Sequence, residues 1–157
     1  MASEKKPEST AKENVKKWGA TLMADGFTVI PNVIVMHQRK IGLQPLDFAI
    51  VAVFAKHWWR AGEPAYPGVK SIAEALGINR RTVQRRLKAL VKAKLLRRID
   101  RTKSDGGDNS AAYDLGGLIE RAEPYAKKNL EEKKTKQKTK LEKRKVGLRP
   151  RSERAAS

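Results

Sequence analysis

The chain has 157 residues and no cysteine, so disulfides cannot stabilise it, and its length suits one domain with polar ends. It carries 35 Lys and Arg against 17 Asp and Glu, a formal net charge of +18, which favours a polyanionic partner. It contains no apolar run of membrane-spanning length and no signal-peptide pattern. We therefore expect a cytoplasmic, nucleoid-associated protein that does not enter membranes.

The first 25 residues are polar and rich in lysine, with Val15, Trp18, Leu22 and Met23 as the only sizeable apolar residues after Met1. So few apolar groups cannot form a core of their own, and we expect residues 1–25 to be a flexible arm or a loosely docked helix. From Gly26 the character changes, and the sequence FTVIP predicts a short strand closed by proline.

Two helices are predicted next. Asn32 is a candidate cap for a helix over 33–39, which Gly42 would end, and Pro45 is suited to the first turn of a long helix to about Trp59. The long helix is apolar nearly all round, so it has more apolar surface than the core of one small domain should need. We therefore predict a homodimer through residues 33–59; the alternative is that the neighbouring strand and the Trp18 arm cover this surface.

The segment 71–96, SIAEALGINRRTVQRRLKALVKAKLL, has the order of a helix-turn-helix. Gly77 can end the first helix with a positive φ, the Ile78 side chain can pack into the core, and Asn79 can cap the second helix. In that helix one stripe is apolar and the opposite face is cationic. The apolar stripe holds Val83, Leu87, Leu90 and Val91, and the cationic face holds Arg81, Arg85, Lys88 and Lys92. This pattern predicts a recognition helix over 79–93, and the competing interpretation is a merely solvated charged face.

A two-stranded hairpin is predicted after the recognition helix. Residues 95–102 and 111–115 favour strands, and 104–109 (SDGGDN) have turn chemistry. Helices followed by such a hairpin define a winged helix-turn-helix, so the fold class is mainly α with a small β-hairpin. A closing helix over 118–125 is expected to end the domain at residues 26–125.

The C-terminal segment 126–157 is predicted to be a basic, disordered tail. It holds thirteen basic and four acidic residues, and its apolar residues are too sparse to form a core. Segment 71–101 is similarly basic, with ten basic and two acidic residues. We expect the tail to contact phosphates without reading sequence, and the alternative is that it binds a protein partner.

Residues 26–125 resemble the winged helix-turn-helix domains of bacterial mobile elements, phages and plasmids. These include replication-initiator N-terminal domains, DnaD-like proteins and, more distantly, GntR-type regulators. The resemblance rests on GFTVIPN at 26–32, HWW at 57–59, SIAEALGINRRTVQRRLKAL at 71–90 and NSAAYDLGGL at 109–118. It implies a recognition helix in the major groove and a wing near the DNA backbone or the minor groove. Two departures are Lys94, where many relatives have glycine, and acidic residues Asp105 and Asp108 at the wing tip.

We expect a sequence-specific double-stranded DNA-binding protein that regulates transcription. The alternatives are a plasmid or phage replication or maintenance factor that binds origin repeats, and a non-specific architectural or protein-interaction module. The strongest candidates for reading bases are Arg80, Arg81, Gln84 and Arg85. The full set of expected DNA contacts is Ser71, Asn79, Arg80, Arg81, Thr82, Gln84, Arg85, Lys88, Arg98, Arg101 and Lys103.

No catalytic, metal or cofactor site is predicted. His37 and His57 are expected to be packing or surface residues, no metal-spaced cluster exists, and no glycine-rich phosphate loop follows a strand. Trp58 and Trp59 are residue types that can stack on bases, but aromatics that end a buried helix more often belong to the core. The protein is therefore not expected to be an enzyme.

Overall fold

The computed structural model describes the backbone of residues 7–100 and 111–147, and the side chains of 10–100 and 111–144. It contains eight helices and one two-stranded sheet within those residues. In chain order these are α1 (Pro7–Trp18), α2 (Ala20–Asp25), α3 (Asn32–Met36), α4 (Gln38–Ile41), α5 (Pro45–Lys56), α6 (Val69–Leu76), α7 (Arg80–Lys92), β1 (Arg97–Ile99), β2 (Ala112–Asp114) and α8 (Gly116–Gly147). A mainly helical chain with a small antiparallel hairpin is a winged helix-turn-helix, as predicted.

One apolar core joins the elements from α3 to α8. Phe54 of α5 is fully buried, and its ring meets Tyr113 of β2 edge to face at 5.3 Å. The stripe of α7 contributes Val83, Leu87 and Leu90, all buried as expected from their spacing. The core therefore holds the recognition helix against both the long helix α5 and the wing.

The wing is tied back to the connector between α5 and α6. Strands β1 and β2 pair antiparallel, with Arg98 opposite Tyr113. The backbone N–H of Ala65 donates to the carbonyl of Tyr113 at 3.0 Å, and the N–H of Tyr113 donates to the carbonyl of Ala65 at 2.7 Å. The residues around Ala65 have no pattern typical of a strand, so this third backbone segment beside the hairpin was not predicted.

Three predicted boundaries are wrong. No strand forms at 27–31, because no other segment of the described chain offers a ladder of backbone partners. The predicted helix 33–39 is instead two short helices, which separate at His37, and Pro31 rather than Asn32 occupies the N-cap. Helix α5 starts at Pro45 as predicted, but it ends at Lys56 instead of Trp59.

The C-terminal segment also differs from the prediction. Helix α8 runs to Gly147, across the predicted boundary at 125, where the sequence predicted disorder. Lys, Glu, Gln, Leu and Ala dominate this stretch and are all strong helix formers, and Lys127 pairs with Glu123 at 2.8 Å. This propensity outweighs the lack of a burying face. The division into three parts at residues 25 and 125 remains a prediction.

Helices α1 and α2 pack mainly against each other. Trp18 and Leu22 remain 65% and 62% exposed, so the arm does not cover the domain with its largest side chains. The apolar residues of α5 are covered in another way, because Ile50, Val51 and Phe54 are buried within the protomer itself. The excess apolar surface that predicted a dimer through 33–59 is therefore absent from the α5 part of that range.

Candidate nucleic-acid interface

The turn between α6 and α7 has the geometry that the sequence predicted. Gly77 ends α6 in the left-handed conformation with φ 63°, which favours glycine because a Cβ is strained there. The N–H of Ile78 donates to the carbonyl of Ala73 at 3.0 Å, and the Asn79 side chain accepts from the N–H of Arg81 at 2.8 Å. This cap satisfies an otherwise free donor and fixes where α7 begins.

Helix α7 presents two chemically distinct faces. Val83, Leu87 and Leu90 are buried, while the opposite face is polar and exposed to solvent. We call this exposed set the reading face; it consists of Arg80, Arg81, Gln84, Arg85 and Lys88. Its four cations sit on about three turns of helix with no acidic residue in α7, so each is available for an anionic partner. Thr82 lies at the edge of this face and is half-buried.

Arg86 is an exception among the arginines of α7. Its Nε donates to Oδ1 of Asp47 at 2.7 Å, and a second guanidinium nitrogen donates to Oδ2 of the same carboxylate. The Asp47 side chain is 1% exposed and also accepts from the backbone N–H of Gln44 at 2.9 Å. The hydrogen bond to Asp47 raises the pKa of the Arg86 guanidinium. Arg86 thus fastens α7 to the first turn of α5, and its side chain is only 19% exposed.

A cleft separates α7 from the wing. Its floor is apolar, formed by Leu87, Val91 and Tyr113, and its rim carries the cations Lys88, Lys92 and Arg98. Gln84 and Lys88 line both this cleft and the reading face, so the two surfaces are continuous. Burial raises the pKa of the Tyr113 hydroxyl, and the nearby Arg98 charge opposes that change.

The two arginines of β1 have different surroundings. Side chains of successive strand residues point to opposite faces. Arg97 lies 2.9 Å from Glu120 and 3.9 Å from Asp114, whereas Arg98 borders the cleft and pairs with Asp100 at 3.0 Å. Arg98 is therefore the arginine of this strand that faces the candidate interface.

The structure brings together most of the predicted contact residues. The members of the reading face, the cap Asn79 and the adjacent Thr82 share one helix, and Arg98 lies across the cleft from them. Ser71 is exposed in the first turn of α6. Arg101 and Lys103, together with the acidic residues at the wing tip, lie outside the described residues.

Sequence reasoning missed two features of the interface. Lys92 was not among the expected DNA contacts, although its spacing of four residues from Lys88 places it on the same side of α7; it lines the cleft beside Arg98. The structural role of Arg86 was also missed. Its position directly before Leu87, at the border of the apolar stripe, was the available signal, as was Asp47 in an otherwise apolar helical sequence.

The histidine and tryptophan residues considered in the sequence lie outside the reading face, and His37 and Trp58 make packing contacts. His37 stacks on Tyr125 with ring centroids 5.4 Å apart and contacts the Asn129 amide at 3.2 Å, so it joins α8 to the α3–α4 junction. Trp58 packs against the core as expected, whereas Trp59 is 78% exposed. Among the described residues no group of three or more His, Asp or Glu is placed to hold a metal ion. No described helix combines the length and apolarity needed to cross a membrane.

Comparison with known families agrees with this geometry. Residues 42–96 match a family model described as a helix-turn-helix domain. The match runs from the residue after α4 to the residue before β1, and so it includes the turn, the cap and the whole reading face. No curated protein gave a significant match to the chain. Residues 42–96 are therefore similar to helix-turn-helix domains, and this similarity suggests DNA binding.

Proposed function

We propose that this protein binds double-stranded DNA sequence-specifically, with α7 in the major groove, and regulates transcription from the bacterial nucleoid. The observation that carries the proposal is the reading face, an exposed row of arginine, glutamine and lysine on a helix whose other side is fixed in the core. A major groove admits one α-helix, and its base edges accept hydrogen bonds from such side chains. Because the buried side of α7 is held in the core, these hydrogen-bond donors keep fixed relative positions.

The reading face supports a division of roles. Arg80, Arg81, Gln84 and Arg85 occupy the N-terminal half of α7, the part that enters the groove in helix-turn-helix docking. We assign base edges to these four residues. Phosphates are assigned to Ser71, Asn79, Thr82, Lys88, Arg98, Arg101 and Lys103, because cations, hydroxyls and amides near a helix start or a wing position the protein on the backbone.

The C-terminal half of α8 supplies a second source of positive charge. Between residues 127 and 144 there are nine basic and three acidic residues, and the side chains of 130–144 are exposed. We propose that these lysines contact phosphates and add affinity without sequence choice. The alternative for this surface is a protein partner with acidic side chains.

We further propose that the protein acts as a homodimer on a palindromic site. A single recognition helix reads only a few base pairs, and two-fold pairing of helices doubles the number that are read. The apolar residues Ile50, Val51 and Phe54 of α5 are buried within the protomer, so the pairing surface of this proposed dimer lies elsewhere.

The test begins with selection of binding sequences from a random duplex pool by the full chain. Enrichment of one motif is the expected result, and a two-fold symmetric motif supports the dimer. Arg81→Ala and Arg85→Ala should each weaken binding to the selected site by about 10-fold or more and relax the preference at one position. Arg60→Ala is the matched control, since Arg60 is exposed and distant in sequence from α7, and within the described part of the chain its ion pair is a surface one with Glu63.

Each alternative has its own outcome in the same experiment. Failure to enrich any motif would contradict sequence-specific binding and leave the architectural role. An equal loss on selected and random DNA would reassign the two arginines to phosphates. Genome-wide footprinting then separates the two specific roles, because a regulator is found at promoters and a replication factor at repeats beside an origin.

A further inference from the structure

Residues 26–38 form the longest uncharged segment of the chain. None of the thirteen residues is Asp, Glu, Lys or Arg, although 33% of the chain is charged. The segment also carries several of the most exposed large apolar side chains of the described residues, which are Phe27 (68%), Val29 (75%) and Met36 (75%). Isolated apolar side chains on a surface are ordinary, but several in one uncharged segment indicate an interaction surface.

The backbone of residues 27–30 lacks partners as well. It forms no helix, turn or bend, and every non-glycine residue in it has a negative φ. No hydrogen bond within the described part of the chain reaches the N–H or C=O groups of Phe27, Thr28, Val29 or Ile30. All four residue types favour strands. The strand predicted from the sequence therefore has the right residues and an accessible backbone, and it lacks only a second strand.

A second copy of the chain is the partner that this segment fits. Elsewhere the surface is strongly basic, with fourteen basic and four acidic residues between 37 and 100, so two copies repel each other over most approaches. The segment 26–38 and the preceding arm 7–25, with three basic and three acidic residues, carry no net charge. Two copies can therefore approach here without charge repulsion. A surface without net charge does not attract DNA or an acidic protein electrostatically.

We propose that residues 27–30 of two copies pair as antiparallel strands about a two-fold axis, which makes this segment the dimer interface. The proposal deepens the homodimer of the proposed function. Alternate side chains of a strand share one face, and Ile30 packs against the core of its own protomer while Phe27 and Val29 point to solvent. The register that places Phe27 opposite Val29 of the partner subunit, with the axis at Thr28, pairs the two exposed side chains on one face.

Sedimentation of the full chain without DNA, over a range from about 1 to about 300 micromolar, measures the association. The wild-type chain should pass from monomer to dimer in this range. A variant with Phe27→Glu and Val29→Glu, and another with Phe27→Lys and Val29→Lys, should each raise the dimer Kd at least 10-fold. An equimolar mixture of the two variants should associate again, because opposite charges then face each other across the axis.

Two controls separate strand pairing from other contacts. Leu130→Gln with Leu141→Gln changes the exposed apolar residues of α8 and should leave the dimer Kd unchanged. Amide hydrogen exchange should slow at alternate residues of 27–30 as concentration rises, which side-chain packing alone does not produce. Thermal melting of the charged variants at about 1 micromolar, where the wild type is expected to be monomeric, should match wild type, since both positions are exposed.

A wild-type chain that stays monomeric throughout the range overturns the proposal. So does a dimer that persists in both charged variants or is lost in the α8 variant. None of these outcomes bears on the proposed DNA binding by the reading face. That role is tested separately, by comparing how tightly the wild type and the Arg85→Ala variant bind a single half-site as monomers.

Discussion

Arg85 and Arg86 are neighbours in sequence, yet the structure predicts opposite consequences when each is replaced. Arg85 lies on the reading face and has no ion-pair partner among the described residues. Arg86 is bound through two nitrogens to the buried carboxylate of Asp47. Arg85→Met should leave stability within about 0.5 kcal/mol of wild type, and it should weaken DNA binding. Arg86→Met should unfold the domain at a lower temperature.

The size of the Arg86 effect follows from burial. Removing one partner of a buried pair leaves the other charge without compensation and costs about 3 to 5 kcal/mol. Asp47 keeps only the backbone N–H of Gln44 as a donor in that variant. At about 2 to 4 °C per kcal/mol for a chain of this size, Tm should fall by roughly 10 °C.

A double-mutant cycle tests whether the pair itself is responsible. Asp47→Leu combined with Arg86→Met should recover much of the loss, because apolar replacements of both partners leave no buried charge unpaired. Melting by circular dichroism gives stability, and binding to the selected duplex well below Tm gives function. The reasoning is refuted if Arg86→Met melts like wild type, or if Arg85→Met destabilises the fold as much as Arg86→Met does.

Three further predictions concern the elements that flank the reading face. Gly117→Ala should destabilise the fold by about 3 kcal/mol, since a Cβ there lies 2.0 Å from the carbonyl oxygen of Lys94; Gly116→Ala meets only the Asp114 side chain and serves as the milder control in chemical denaturation. Lys94→Gly should stabilise by about 0.5 to 1 kcal/mol, because Lys94 has a positive φ of 59°; an unchanged or lower midpoint would contradict this. Deletion of residues 137–157 should flatten the logarithmic salt dependence of DNA binding by several units, at about 0.9 per phosphate contact, and an unchanged slope would favour a protein partner for α8.

The parts predicted well from sequence are those whose pattern is local. The stop at Gly77, the cap at Asn79 and the stripe from Val83 to Leu90 each depend on residues within a turn or two. The hairpin was placed because strand and turn residues follow one another directly. These are also the features that position the reading face, so the main candidate site was accessible to sequence reasoning.

The parts predicted poorly depend on partners distant in sequence. Arg86 meets Asp47 across 39 residues. Its position beside the apolar stripe distinguishes it from Arg85, but the local pattern of α7 does not identify Asp47 as its partner. The backbone of Ala65 pairs with Tyr113 without any strand signal. The segment 27–30 shows the reverse case, since its residues favour a strand and yet the protomer supplies no neighbour.

The junction between α7 and α8 changes what the basic C-terminal segment can do. A disordered tail samples many directions and adds charge without any orientation. Here α8 begins against the end of the recognition helix, where Gly117 packs on the Lys94 carbonyl and Arg121 donates to the carbonyl of Ala93 at 3.3 Å. This last bond also satisfies a carbonyl at the end of α7 that has no partner within the helix.

The tight contact at Gly117 and the contacts of Tyr125 and Asn129 with His37 fix the direction in which α8 leaves the domain. If its lysines contact phosphates, they do so at a set distance from the reading face, so that their contribution depends on the length and shape of the duplex beyond the recognised site.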